Sequence, residues 1–343
     1  MPWLSPGFID LQVNGYRGYD LNAESLEPEA VIALTERLVS VGVTTYLPTL
    51  ITASEERLLN ALRAVAEARR ISPLSAHIIP CVHVEGPHIS PVDGPRGAHP
   101  KANVRPPDFA ELERWQSASG GLVGLVTLSP HWSGALDYID RVARKGILVA
   151  LGHTDADPER IRAATQAGAV LSTHLGNGVA NELLRHPNLL WTQLAEDRLT
   201  ATFIADGHHL PPDALTSMLR AKGIDRSVLV SDLVAIGGLS YGTYDTPVGG
   251  KVELTPDGRI GIPGTRTLAG AALPLKNGVA NVARLPGFSL GQAVRMATEN
   301  PGRFVGGRGR LCVGAPADLI QFEWHPGEQD LQIRKILVRG MEQ

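Results

Sequence analysis

The sequence predicts an α/β fold, namely a closed (β/α)8 TIM-type barrel with a small accessory β-segment. Short apolar segments alternate with helix-like segments from residue 8 to residue 232, and eight of the apolar segments have the composition of strands. This alternation indicates parallel βαβ units, and a count of eight favours a closed barrel over an open doubly wound sheet. Several strand segments end on an acid or a histidine, and barrel active sites lie at that end of the strands.

The individual elements follow from local patterns. Residues 44–50 are rich in β-branched side chains, residues 27–41 have an amphipathic helical pattern that ends before Gly42, and Ser54 is a suitable N-cap. Residues 8–15 alternate polar and apolar side chains, so we expect their polar face to border a site. The predicted strands are 8–15, 44–50, 78–84, 122–128, 147–151, 170–174, 200–204 and 227–231, and the predicted helices are 27–41, 54–70, 108–117, 134–145, 157–167, 188–195, 212–222, 272–283 and 290–298.

Two later segments depart from this alternation. Residues 237–270 contain the pair Asp257 and Gly258, a hairpin signal, so we expect a β-hairpin inserted beside the barrel mouth. The tail alternates apolar and polar residues between Gly and Pro positions. We therefore expect a barrel over residues 5–305 and a C-terminal β-segment over residues 306–343, packed beside the barrel.

Composition excludes several classes of protein. The chain has 343 residues, a net charge of -3 and two cysteines, so it offers neither a basic field for nucleic acid nor a disulfide framework. The N-terminus lacks the basic and apolar regions of a signal peptide, and no apolar run approaches the roughly 18 residues of a membrane span. We expect a cytoplasmic protein that acts on a small molecule and binds neither membranes nor nucleic acid.

His153 and His174 stand at the ends of two consecutive predicted strands. A single histidine at such a place is more often a satisfied core or loop residue than a ligand. Two at matching strand ends favour a site for zinc or a similar divalent ion, because both imidazoles would point to one face of the barrel.

Glu85 and Asp232 follow two other predicted strands. Glu85 with the two histidines makes a three-ligand set that leaves one coordination position for water, which is the arrangement of a catalytic metal. Asp232 could then act as the general base. The alternative role for Asp232 is a helix N-cap or a salt-bridge partner, which its position at the end of an apolar strand makes the weaker interpretation.

Motifs along nearly the whole chain resemble the amidohydrolase superfamily and, within it, the N-acetylglucosamine-6-phosphate deacetylase family. The matches are collinear, and together they are more specific than any one of them. They comprise residues 6–10, 83–87, 97–100, 152–154, 173–175, 206–209, 231–232, 267–270, 300–301 and 313–319.

The resemblance implies that Glu85, His153 and His174 bind the metal and that Asp232 is the base. Many superfamily members carry His-x-His at the end of the first strand and bind two metals, whereas this chain has Gln12 and Asn14 there. We therefore expect one divalent ion per chain, zinc in the first place, with iron, cobalt and manganese as alternatives.

The resemblance also assigns residues to the substrate. It implies that His99 stabilises the developing oxyanion of the acetyl group. It implies a homodimer as well, because phosphate recognition in the resembling family involves a neighbouring subunit. His208 is expected to be an ordinary solvated loop histidine. The residues assigned to sugar or phosphate binding are Asn177, Gly178, Arg185, His209 and Leu268.

Three departures from the family pattern concern the substrate more than the metal. Residues 185–188, Arg-His-Pro-Asn, differ from the usual phosphate-binding surroundings. Family members begin with several dozen further residues that form half of a small β-sandwich. Residues 176–179 read Gly-Asn-Gly-Val, where the family has an aromatic residue and Asn-Ala. The leading hypothesis is therefore metal-dependent hydrolysis of the acetamide of N-acetylglucosamine 6-phosphate. The alternatives are hydrolysis of another N-acyl or cyclic amide and a catalytically silent binding protein.

Overall fold

The computed structural model describes residues 2–246, 249–265 and 267–343. Its strands are β1 (Trp3–Pro6), β2 (Phe8–Val13), β3 (Gly15–Tyr16), β4 (Tyr19–Asp20), β5 (Val43–Ile51), β6 (Val82–Glu85), β7 (Val123–Leu128), β8 (Leu148–Leu151), β9 (Leu171–Ser172), β10 (Thr200–Ile204), β11 (Ser227–Val230), β12 (Gly242–Thr246), β13 (Gly250–Leu254), β14 (Ile260–Gly261), β15 (Leu319–Glu323), β16 (Gln332–Val338) and β17 (Met341–Glu342).

The α-helices alternate with these strands and cover the outside of the barrel. They are α1 (Pro28–Val39), α2 (Glu55–Ile71), α3 (Pro73–Ile78), α4 (Phe109–Ser119), α5 (Ala135–Arg144), α6 (Pro158–Ala167), α7 (Leu189–Ala195), α8 (Pro212–Lys222), α9 (Leu275–Ala283), α10 (Leu290–Met296) and α11 (Glu299–Gly302). None of the helices in the described part of the chain is long and apolar enough to cross a membrane.

Eight strands form the predicted barrel. β2, β5, β6, β7, β8, β9, β10 and β11 lie side by side in this order, and all pair in parallel. The first and last strands meet just beyond their ends, where Val13 forms a parallel bridge with Leu233 and the Asp232 amide donates to Gln12 O at 3.0 Å. The fold class predicted from the alternating pattern is therefore confirmed.

Most predicted boundaries hold to within a few residues, but the segment before β6 differs. Residues 78–84 are predicted as a strand, whereas α3 ends at Ile78 and the strand begins only at Val82. Ser72 explains the helix, because its hydroxyl accepts the Ser75 amide at 3.1 Å and Pro73 occupies the first helical turn. Ser54 caps α2 as predicted, since its side chain accepts the Arg57 amide.

Apolar side chains fill both the space under the helices and the lower part of the barrel. Ile9, Leu47, Leu125 and Val228 belong to the cluster inside the barrel. Polar side chains occupy the barrel centre nearer the mouth, for example His83, whose Nε2 lies 2.8 Å from Thr127 Oγ1. The apolar layer supports the fold, and the polar layer lies beneath the strand ends that carry the site.

Two antiparallel sheets flank the barrel. β12, β13 and β14 form a three-stranded sheet with its own small core around Val252 and Leu254, where residues 237–270 predict a hairpin. The tail strands β15, β16 and β17 form a four-stranded sheet together with β1. The N-terminal strand Trp3–Pro6 thus contributes to the accessory sheet, which the sequence attributes mainly to the tail.

Candidate active site

Glu85, His153 and His174 meet at the C-terminal mouth of the barrel. Glu85 ends β6, while the two histidines follow β8 and β9. The Glu85 Oε1 atom lies 3.2 Å from His153 Nε2 and 3.0 Å from His174 Nε2, and all three side chains are buried. The parallel strands therefore bring together the three residues that the sequence proposes as metal ligands.

The backbone at three of the site residues is in the left-handed region. His153 has φ 47°, His174 φ 27° and Asp232 φ 53°, although none of them is glycine. Such conformations cost about 1–3 kcal/mol each and persist only where the surroundings hold them. Here the His174 amide donates to Thr202 Oγ1 at 2.6 Å, and the Asp232 amide donates to Gln12 O. The bends turn these side chains from the strand direction into the mouth.

The donor set fits a divalent metal. Two ligand atoms bound to zinc at about 2.0–2.1 Å in tetrahedral geometry lie roughly 3.3 Å apart, close to the separations from Glu85 Oε1. The His153 Nδ1–H donates to the Pro95 carbonyl at 2.8 Å, which leaves the Nε2 lone pair for a metal. His174 Nδ1 is buried without a partner. Carboxylate and imidazole ligands suit zinc, iron, cobalt and manganese alike.

His99 lies beside this cluster. One ligand atom from each of Glu85, His99 and His153 lies within 4.8 Å of the other two, and the His99 and His153 rings are 4.3 Å apart. His99 Nδ1 lies 2.8 Å from Thr52 Oγ1, which directs Nε2 toward the mouth. Burial and the neighbouring His153 lower the pKa of His99 to about 3, so its ring is neutral at physiological pH. A neutral imidazole could donate to an acyl oxygen or bind a metal.

Asp232 is buried at the same mouth. Burial and the charge of Glu85 raise the pKa of its carboxyl to about 6, against smaller lowering effects that include a hydrogen bond from Asn14. Asn14 Nδ2 donates to Asp232 Oδ1 at 2.7 Å. A carboxylate with a pKa near the working pH can both accept and return a proton.

A cavity of about 1120 Å³ opens above these residues. His99, Asn177, Gly178, His209 and Leu268 line it, together with the cluster residues and Asp232. Arg185 is exposed and does not line the cavity of its own chain. The structure thus brings together all of the proposed site residues except Arg185.

Gly178 and His209 have specific neighbours. A Cβ atom on Gly178 would lie 2.8 Å from His153 Nδ1, so only glycine permits this close approach to the ring. His209 Nδ1 donates to Asp206 Oδ2 at 2.7 Å, which directs its other nitrogen away from Asp206. His208, expected to be solvated, lines the cavity as well, and its Nε2 lies 3.0 Å from the Asp257 carbonyl.

Sequence reasoning missed the residues that orient the others. Thr52 positions His99, Asp206 positions His209, and the Pro95 carbonyl fixes the tautomer of His153. Asp206 opens the Asp-Gly-His-His segment, and its carboxylate accepts the amides of both histidines, a local turn pattern that could have indicated it. Thr52 and Pro95 lie far from their partners in sequence and carry no comparable signal.

The match to known proteins covers the whole site. The model of the amidohydrolase family matches residues 3–341. This chain belongs to the amidohydrolase family. Within it, the chain belongs to the family of N-acetylglucosamine-6-phosphate deacetylases: it is 32% identical to the enzyme of that name from Bacillus subtilis (strain 168) over 323 residues, which are 92% of this chain and 80% of the relative.

Two further relatives bear on the substrate of the family. An N-acetylgalactosamine-6-phosphate deacetylase from Escherichia coli O157:H7 is 31% identical over 98% of this chain and 86% of its own length. The structure of a mutant N-acetyl-D-glucosamine-6-phosphate deacetylase from Mycobacterium smegmatis, in complex with N-acetyl-D-glucosamine-6-phosphate, superposes with a TM-score of 0.88 at 29% identity and covers 99% of this chain and 86% of that one. The amidohydrolase barrel and its mouth are therefore present in full in this chain.

Proposed function

We propose that this chain hydrolyses the acetamide of N-acetylglucosamine 6-phosphate to glucosamine 6-phosphate and acetate. The observation that carries the proposal is the joint placement of Glu85, His153, His174 and Asp232 at one mouth of an amidohydrolase barrel. Catalytically silent relatives would be expected to lose a ligand or the base, and all four residues are present. The substrate follows from the relatives, which are named for this activity.

Glu85, His153 and His174 would hold one divalent ion, with zinc as the first choice for this donor set. When bound, the ion supplies Lewis-acid chemistry that polarises the acetyl carbonyl and makes water acidic enough to attack near neutral pH. The place of a second metal in related enzymes corresponds to Gln12 and Asn14. The Asn14 amide group is already used in donating to Asp232, which argues against a second tightly bound ion.

Asp232 would move the proton. Its Oδ1 is held by Asn14, so Oδ2 is the oxygen that takes the proton of the attacking water and delivers it to the amide nitrogen. His99, neutral and oriented by Thr52, would donate to the acetyl oxygen as negative charge develops there. The C–N bond then breaks, and the amine leaves as a neutral group.

The remaining cavity residues would bind the sugar. His209 is oriented by Asp206, Asn177 and Leu268 line the cavity, and Gly178 presents its backbone beside His153. Because Arg185 is exposed outside the cavity, we propose a homodimer in which this residue reaches the phosphate in the partner's site. A cytoplasmic location stays a prediction from the sequence.

One specific observation favours a second candidate substrate. The relative from Escherichia coli O157:H7 is named for N-acetylgalactosamine 6-phosphate, which differs only in the configuration of one hydroxyl. The same acetamide and phosphate would be recognised, so the choice between the two sugars rests on the contacts of that hydroxyl in the cavity.

Acetate and free amine release measured on four substrates would test the proposal. The substrates are N-acetylglucosamine 6-phosphate, its galactose isomer, non-phosphorylated N-acetylglucosamine and an N-acyl amino acid. We expect the highest kcat/KM on the first, and Asp232→Asn protein purified in parallel controls for contaminating deacetylases. Faster hydrolysis of the N-acyl amino acid would contradict the proposed substrate. A metal-loaded protein that is inactive on all four compounds would favour a binding role.

A further inference from the structure

Residues 90–99 form a loop that connects two histidines of the mouth. The Ser90 amide donates to the His153 carbonyl at 2.9 Å, and the Pro95 carbonyl accepts the His153 Nδ1–H at 2.8 Å. The loop ends at His99, whose ring lies 4.3 Å from the His153 ring. The path of the 90–99 loop therefore sets the positions of both imidazoles.

The middle of this loop is a tight turn built on glycines. The Arg96 amide donates to Val92 O at 2.9 Å, and the Gly97 amide donates to Gly94 O at 3.0 Å. Gly94 has φ 94° and Gly97 has φ 59°, so both occupy the left-handed region. Glycine adopts this backbone without strain, but it loses more conformational freedom on ordering than any other residue. The turn therefore needs a side chain that holds it in one conformation.

Arg96 supplies that side chain. Its Nη1 donates to His99 O at 2.6 Å and to Gly97 O at 3.3 Å, and its Nη2 donates to Asp93 Oδ1 at 2.5 Å. The Asp93 side chain is 79% exposed, against 19% for Arg96, and an ion pair with so exposed a carboxylate contributes little. The hydrogen bonds from the charged guanidinium to the two carbonyls are thus the contacts that fix the loop.

We propose that Arg96 is a positioning residue, which holds both His99 and the Pro95 carbonyl in place against His153. Thr52 orients the His99 ring, and Arg96 holds the His99 backbone. Without Arg96, the ring would no longer be held where negative charge develops on the acyl oxygen. This catalytic consequence rests on the proposed function, whereas the support that the Pro95 carbonyl gives to His153 does not.

The catalytic test measures kcat and KM for N-acetylglucosamine 6-phosphate and for N-acetylglucosamine. Arg96→Met should lower kcat by about tenfold or more on both sugars, with KM changed by less than about threefold, because the lost support acts in the transition state. Arg96→Lys should restore part of kcat, since an ammonium group can donate to the same carbonyls. Arg162→Met, at an exposed arginine of α6, is the charge-matched control and should keep the wild-type values.

Two outcomes of the catalytic test would overturn the inference. Arg96 lines the cavity, so it could instead bind the ligand directly. A loss confined to the phosphorylated sugar would identify Arg96 as a phosphate ligand. A raised KM with unchanged kcat on both sugars would show that Arg96 contributes to binding and not to the placement of His99.

A zinc-binding test separates this inference from the proposed function. Zinc affinity is measured by competition with a chelator in wild-type protein, Arg96→Met, Arg96→Lys and Arg162→Met. Arg96→Met should bind zinc about tenfold more weakly, because loss of a partner that orients a ligating histidine typically costs 10–100-fold in affinity. Partial recovery in Arg96→Lys would support the inference even if the wild-type protein hydrolysed neither sugar. Circular dichroism would check that each variant folds, and Arg96→Gln takes the place of Arg96→Met if the latter does not. Zinc affinity equal to that of wild type in this variant would overturn the inference, whatever its activity.

Discussion

Asn14 and Asp232 join the first and last strands of the barrel through their side chains. Asn14 Nδ2 donates to Asp232 Oδ1 at 2.7 Å, and the Asn14 amide donates to Leu233 O at 2.8 Å in the same seam. The barrel thus closes at its proposed general base, and the hydrogen bond fixes which carboxylate oxygen faces the cavity. Barrel closure and proton transfer therefore depend on the same pair.

Replacing Asp232 by asparagine should lower kcat by at least about a hundredfold. Asparagine keeps the shape and can still hydrogen-bond water, but it cannot carry a proton, and general acid–base catalysis contributes roughly 10²–10⁴-fold. Substrate affinity should change little, because the lost interaction belongs to the transition state. Steady-state kinetics and metal analysis of the variant would check this prediction. If Asp232→Asn kept more than about a tenth of wild-type kcat, another group would have to be the base, and His99 is the nearest substitute.

Replacing Asn14 by leucine should change the pH profile. The hydrogen bond from Asn14 lowers the pKa of Asp232, which is otherwise raised by burial and by Glu85. Without it, the acid limb of kcat/KM should move to higher pH, and kcat should fall by about tenfold as Asp232 loses its orientation. Metal content should stay near that of wild type. Asn277→Leu, at a half-buried helix residue that does not line the cavity, is the control. An unchanged acid limb in Asn14→Leu would count against the positioning role.

Metal analysis should find about one tightly held divalent ion per chain. His153→Ala and His174→Ala should each lose it, because each removes one of three protein ligands. His325→Ala, at an exposed histidine far from the three ligands in sequence, is a control that should keep the ion. Two equivalents of strongly bound metal in the wild-type protein would contradict the inference from Gln12 and Asn14.

Arg185 should act across a subunit interface. Light scattering is expected to give a dimer, and Arg185→Met should reduce kcat/KM chiefly for the phosphorylated substrate. Mixing Arg185→Met with Asp232→Asn chains should then restore activity, since hybrid dimers contain one site with both an intact base and the partner's arginine. A fully active monomer, or mixtures without recovery, would show that Arg185 does not serve a neighbouring site.

The sequence predicts the barrel and the convergence of Glu85, His153, His174 and Asp232 because both depend on a repeated local pattern. Each strand segment is marked by its own composition, and parallel connections force all strand ends to one face. The exposure of Arg185 could not be predicted in this way, because it depends on the path of a long loop.

Other features depend on contacts between distant residues. The pairing of Trp3–Pro6 with Leu319–Glu323 joins the two ends of the chain, and the strand segment itself is short. The helix Pro73–Ile78, which begins at the Ser72 cap and Pro73, lies just before the predicted strand 78–84 and shares only Ile78 with it. The left-handed φ of His174 and Asp232 is held by hydrogen bonds to Thr202 on β10 and Gln12 on β2, and these contacts leave no mark in composition.

Asp10 lies on β2, the strand that ends just before Asn14. Its Oδ1 accepts the amides of Ser231 at 3.1 Å and Gln12 at 3.3 Å, while its Oδ2 is buried without a partner. Burial outweighs these hydrogen bonds and raises the pKa of the Asp10 carboxyl to about 7. The folded protein therefore binds this proton more tightly than the unfolded chain does, and the stabilisation that results is complete below the unfolded pKa of about 3.9.

As pH rises through about 7, this stabilisation is lost, because the folded state must then bury a carboxylate. Asp10→Asn imitates the protonated acid at every pH and keeps an oxygen for both amides. The free energy of unfolding of the wild type should therefore decrease from pH 5 to pH 8.5. This decrease should be about 1–4 kcal/mol larger than the decrease in Asp10→Asn over the same range. Denaturant unfolding at several pH values, at one metal concentration, would measure this difference. Asp137→Asn, at an exposed helix residue whose charge is screened by solvent, is the control and should keep the wild-type pH dependence. If Asp10→Asn also kept the wild-type pH dependence, Asp10 would already be ionised in the folded protein at pH 5.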